Sequence, residues 1–155
     1  SAVTALVSLA KNGTDETRQA AAWALGEIGN DVAVDTLLEL LGNEESMECA
    51  VDALSNAGNQ KAMEPLSKLL GHDSIAIRMG AVHGIRSAVI DHKEAILASG
   101  AEWLYEPLKQ AATDEASPVA VFAMLTLAEL GQKVDQEVAY RVFSLQEKQA
   151  IHAAN

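Results

Sequence analysis

A motif that comes round four times constrains this chain more than any other feature. From Thr17 to Gly29, apolar residues recur at helical spacing, and Gly29-Asn30 marks a helix stop. The frame returns 29 residues later in Cys49 to Gly58, 31 further on in Ile77 to Ile85, and 42 after that in Phe122 to Gly131. The segments between repeat as well. Val34 to Gly42 matches Met63 to Gly71 at a shift of 29, and Met63 to Ser67 matches Tyr105 to Lys109 at 42. Val3 to Ala10 is a partial version of this second pattern. Two interleaved patterns with the same shifts define a unit of helix, tight turn, helix and short loop. One such unit cannot bury its apolar face alone, so stability must come from stacking on neighbours.

The residues that recur suit stacking. Ala21, Ala50, Ala81 and Ala123 share one register; Leu25, Leu54, Ile85 and Leu127 share another. The first row lets helices approach closely and the second fills the space between them. Composition agrees: 49% of residues are hydrophobic but only 4% are aromatic. Alanine and leucine must therefore supply most of the core, which favours packed helices over a β-sandwich. A chain of 155 residues buries roughly 68–70% of its unfolded surface and needs no disulfide or metal to hold a core.

The expected fold is all-α: a right-handed α-α superhelix of about four to five stacked helix pairs, forming one domain over residues 1–155. Repeats fall near 3–30, 31–59, 60–90 and 101–132. The third unit carries about 11 extra residues within 87–100. Residues 134–153 read as an amphipathic capping helix with Val138, Val142, Leu145 and Ile151 on one face. Pro65 and Pro107 should sit in a first helical turn or kink their helices. Phe122 stands where the earlier units have Ala20, Cys49 and Gly80, which implies altered packing toward the C-terminal end. The chain opens without Met and already in helix-like sequence, as a domain of a longer polypeptide would.

The stretch Asp15-x-x-Arg18-x-Ala20-Ala21-x-x-Ala24-Leu25-Gly26-x-Ile28-Gly29 resembles the HEAT-like repeat of the phycobilisome-lyase type. The resemblance covers about residues 3–132. The family's arginine corresponds to Arg18 and Arg78, while Met47 and Ala120 replace it in the second and fourth units. The resemblance implies a fold more than a function, because such repeats occur in lyase subunits, hydroxylases, scaffolds and appendages of larger enzymes. It also implies that the second helix of each unit lines a concave surface. The outward residues there would be Trp23, Asp52, His83 and Leu125, with Gln19, Glu48, Met79 and Val121 one turn earlier. With Glu27 they form the expected partner-binding set: acidic in the middle and apolar toward the C-terminal end.

Each candidate has a plainer reading. An outward Trp23 is either a binding anchor or a ring folded over a neighbouring helix or over a preceding repeat trimmed from this chain. His83 and Asp52 share a register on adjacent helices. They suggest a proton-transfer pair, half a metal site or a surface ion pair, and the missing further ligands favour the last. His72, after Gly71, suits a helix end; His92 and His152 have no partner at recognisable spacing. Cys49 lies at a core register between Glu48 and Asp52, an electronegative setting that makes an inert thiol.

Charge narrows the function. Twenty-two acidic residues against 11 basic ones give a net charge of −11. That disfavours nucleic acid and anionic membrane as partners. No apolar run is long enough to span a bilayer. The single cysteine allows no internal disulfide and suits a reducing, cytoplasmic setting. Residues 31–60 hold seven acids and no Lys or Arg, while residues 61–90 hold four bases and two acids. The acidic unit either steers a basic partner or supplies solubility. HEAT-like deoxyhypusine hydroxylases carry paired His-Glu dipeptides, and none occurs here. HEAT-like DNA glycosylases use a basic concave face, whereas this one is acidic. No phosphate loop, Cys-x-x-Cys pair or nucleophile elbow is present. The expectation is a non-catalytic module without cofactor that binds a protein partner on its concave face. The alternative is a subunit or appended domain of an enzyme, such as a chromophore-lyase-like protein.

Overall fold

The computed structural model describes residues 2–134 together with Gln136, Ala139, Tyr140 and Ser144. Among these residues the regular structure is helical. The first unit pairs α1 (Ala2–Asn12) with α2 (Asp15–Ile28), and the second α3 (Asp31–Leu40) with α4 (Glu44–Ala57). The third joins a 3-10 turn (Gln60–Ala62) and α5 (Met63–Lys68) to α6 (Ile75–Ser99). The fourth pairs α7 (Glu102–Ala111) with α8 (Ser117–Glu129). The pairs stack into an α-α solenoid. Of the expected capping helix, Gln136, Ala139, Tyr140 and Ser144 are described and helical, while Val138, Val142, Leu145 and Ile151, and His152 with them, lie outside the described residues.

Gly-Asn dipeptides punctuate the first half of the stack. Gly29 and Gly58 adopt left-handed conformations (φ 59° and 55°) that end α2 and α4. Asn30, Asn43 and Asn59 then cap the next helical segments, each side chain accepting a 2.9 Å hydrogen bond from a backbone N–H. Gly131, at the register of Gly29 and Gly58, also has positive φ (76°). Val89 holds that register in the third unit, and α6 runs on through it to Ser99 before Gly100 ends it at φ 86°. The extra residues of this unit are thus mostly helix, bent at His92. Pro65 falls in the first turn of α5, as expected, while Pro107 lies inside α7.

The second helices form the tighter layer: α2, α4, α6 and α8 each lie against the next, while the first helices touch their counterparts less. Small residues set this spacing. Ala21, Ala50, Ala81 and Ala123 are buried in the expected row, as are Leu25, Leu54, Ile85 and Leu127. Gly26 goes further, since a Cβ there would come within 2.6 Å of the Ala53 carbonyl oxygen on α4. Gly84 and Gly80 likewise admit Leu66 and Val51 side chains.

The repeated arginine has a structural task. Arg78 is 8% exposed and donates to both carboxylate oxygens of Asp114, at 2.6 and 3.0 Å. It also donates to the carbonyls of His72 and Asp73, so it ties its own turn to the next unit. Arg18 does the same more loosely, reaching Asp15 at 3.2 Å and Glu45 of the second unit at 3.8 Å. His72 serves this turn too, its Nδ1 accepting from the Ser74 N–H.

Two stability experiments follow. Gly26→Ala meets backbone that cannot swing aside and lowers unfolding free energy by about 1–3 kcal/mol, whereas Gly71→Ala, with nothing within 4 Å, stays within about 0.5 kcal/mol; urea denaturation reads both. Arg78→Met strands Asp114 in a buried site and costs about 3–5 kcal/mol, seen as a lower urea midpoint.

Candidate functional site

The outward row falls where the register places it. Trp23, Asp52, His83 and Leu125 are all exposed, on α2, α4, α6 and α8 in turn. Trp23 is 63% exposed, a large value for an indole, and does not fold over a neighbouring helix. One turn earlier, Gln19 and Glu48 are exposed, while Met79 and Val121 are half-buried against the core. Glu27 is exposed but engaged, accepting a hydrogen bond from the Asn56 side chain.

A cleft of about 490 Å³ opens between α2 and α4. Gln19 and Trp23 line it from one side, and Glu45, Glu48 and Asp52 from the other. Arg18 borders it, already held by Asp15 and Glu45. Partial burial, followed by the neighbouring Glu48 charge, pushes the Asp52 carboxyl above its ordinary value. Cys49 also borders the cleft, and its thiol is raised chiefly by burial, with Arg18 opposing. Its Sγ donates to the Ser46 carbonyl, a setting that leaves little thiolate.

His83 and Asp52 do not form the pair that their shared register suggests. His83 Nδ1 and Ser55 Oγ share a 2.8 Å hydrogen bond, and the Asp52 carboxylate lies instead toward Gly80, one turn before His83. The imidazole stands edge-on to Phe122, with ring centroids 5.6 Å apart. Phe122 therefore reaches back across α8 toward α6, which is where its bulk in a small-residue register goes. The Arg86 guanidinium covers the same ring at 5.9 Å from its centroid. Sequence reasoning missed Arg86; the available signal was a cation one turn after His83 on the same face. Among the described residues, no three His, Cys, Asp or Glu side chains converge as metal ligands would.

The acidic second unit divides into two populations. Lys61 of the third unit bridges Asp31 and Asp35 at 3.6 and 3.3 Å, and Lys11 of the first pairs with Glu39. These carboxylates all stand on α3, in the outer layer. Glu48 and Asp52, exposed on α4, have no ion pair among the described residues. A larger cavity of about 580 Å³ lies between the turns of the third and fourth units. Its Arg78 and Asp114 satisfy each other, so it is a seam of the stack.

Comparison with known proteins agrees with this architecture. Residues 1–49 match the family model for HEAT repeats. No curated protein sequence matches the chain. The crystal structure of an engineered protein superposes with a TM-score of 0.66 at 24% identity, covering 94% of this chain and 68% of that one. That likeness shows the fold alone. Among the described residues, no helix is long and apolar enough to cross a membrane.

Because the fold raises the Asp52 pKa, ionising this carboxyl costs stability. The cost is complete above the raised value and absent below the ordinary 3.8. Asp52→Asn therefore raises the melting temperature at neutral pH, and the gain shrinks as pH falls through the carboxylate range. Thermal melts at several pH values read the difference.

Proposed function

We propose that this chain is a non-catalytic interaction module whose concave layer of second helices holds a segment of a protein partner. The observation that carries the proposal is Trp23, an indole 63% exposed at the edge of a 490 Å³ cleft, in line with the other outward residues. Tryptophan supplies large contact area with few rotatable bonds and is enriched among binding hot spots. Leu125, exposed, and Val121, half-buried, extend the apolar contact toward the C-terminal end. The groove is built on packed helices, so little ordering is lost when a partner binds. The HEAT-repeat match over residues 1–49 supports a scaffold role by analogy. The reading treats residues 1–155 as one stacked domain.

The phycobilisome-lyase resemblance favours an alternative, an appended domain of a chromophore-lyase-like enzyme. It rests on the motif from Asp15 to Gly29.

The module reading is tested by Trp23→Ala. Affinity capture from the native source identifies the partner, and calorimetry compares the two proteins. Partner binding weakens by about 2 kcal/mol or more, while the melting temperature barely moves. A lower melting temperature with unchanged binding makes Trp23 structural and removes the anchor.

A further inference from the structure

Charges of this acidic chain are matched repeatedly across unit boundaries: Lys11 to Glu39, Lys61 to Asp31 and Asp35, Arg78 to Asp114. Two groups on the concave face break that pattern, and they are of opposite sign.

The first is at the α2–α4 cleft. Glu48 and Asp52 stand beside the exposed Trp23 ring with no cation of their own. Arg18 does not serve, because it is committed to Asp15, Glu45 and the Gly13 carbonyl. An aromatic face next to two free carboxylates suits a guanidinium or ammonium group. The ring attracts the cation, and the carboxylates accept its N–H groups. Burial and mutual repulsion hold Asp52 in a state that a cation would relieve.

The second is at the α6–α8 junction. Arg86 makes no hydrogen bond or ion pair among the described residues, and its Nε is buried without an acceptor. Phe122 covers one face of the guanidinium and His83 braces the ring. A buried donor without an acceptor is unfavourable. A carboxylate can take two parallel hydrogen bonds from a guanidinium fork and remove that deficit.

We infer that the concave groove holds an extended peptide segment with a basic side chain at the Trp23 end and an acidic side chain at the Arg86 end. The inference deepens the groove reading and rests on it. The two points lie two helix steps apart, each about 8–10 Å. An extended chain rises about 3.3 Å per residue, so the two side chains stand about five or six residues apart. The occupant is identified by charge complementarity: it offers the two signs that the groove leaves unmatched, in the order in which they occur.

A phage-displayed library of random dodecapeptides tests this. It is selected against the wild-type protein, the Glu48→Gln/Asp52→Asn double variant, Arg86→Gln and Trp23→Ala, each first checked by thermal melt. The wild type should enrich peptides carrying Arg or Lys and Asp or Glu at that separation. The double variant should lose the basic preference and keep the acidic one; Arg86→Gln should do the reverse. By calorimetry a selected peptide should bind each variant about tenfold more weakly or worse. Replacing the peptide's own basic residue by Gln should abolish its sensitivity to the Glu48 and Asp52 changes. Peptides that need Trp23 but show no charge pair, or keep both preferences in the variants, overturn the inference and leave the groove standing. Failure to enrich any peptide, or enrichment indifferent to Trp23→Ala, removes the groove reading as well. Displacement of bound peptide by a second copy of the protein, seen as self-association in light scattering, overturns the peptide as occupant.

Discussion

Close approach between the second helices is the constraint on which the rest of the molecule depends. Alanine at four equivalent positions, and glycine at Gly26, Gly80 and Gly84, bring the backbones of α2, α4 and α6 together and align α8 with them. The first helices touch their counterparts less, so the array is tighter on one side than on the other. Curvature, a concave face and a regular outward row all follow from that difference in spacing. The same constraint accounts for the scarcity of aromatics: a layer spaced by alanine has no room for rings. Those present therefore go to the surface, as Trp23 does, or lean across to the next helix, as Phe122 does.

Electrostatics follows the geometry. Where units abut, charged side chains of one reach those of the next. Arg78 is the strongest case, because its partner Asp114 and two turn carbonyls consume its donors in a nearly dry site. Exposed pairs such as Lys61 with Asp35 contribute little energy each. Their larger effect is to offset the three carboxylates of α3 in the outer layer, while Glu48 and Asp52 on α4 keep their charge unmatched among the described residues. A chain that is strongly acidic overall thereby acquires local polarity along one face.

Much of this was legible from residues alone, and the reasons are physical. Helix stops at Gly29 and Gly58 depend on backbone conformations that glycine tolerates best, so sequence marks them directly. The buried rows of Ala21 and Leu25 follow from periodicity, which survives any detail of packing. The outward row was readable for the same reason. What sequence did not reveal depends on side-chain rotamers and on contacts between units. His83 shares a register with Asp52, yet its ring nitrogen turns to Ser55, a choice that spacing cannot express. Phe122 implies altered packing toward the C-terminal end, but the form that packing takes, a contact of α8 with α6, is visible only in the fold. Arg86 drew no attention because its significance lies in what it lacks, and a missing acceptor is visible only in three dimensions.

The absence of a glycine at Val89 has a consequence of another kind. Identical units offer a ligand identical sites, and a segment bound to such an array could slip by one unit at little cost. Here α6 continues about ten residues past the point where α2 and α4 stop, adding roughly 15 Å of helix on one unit only. The translational equivalence of the surface is broken at that place. The array gains an origin from which position along it can be measured, so a bound chain has one register to occupy instead of several.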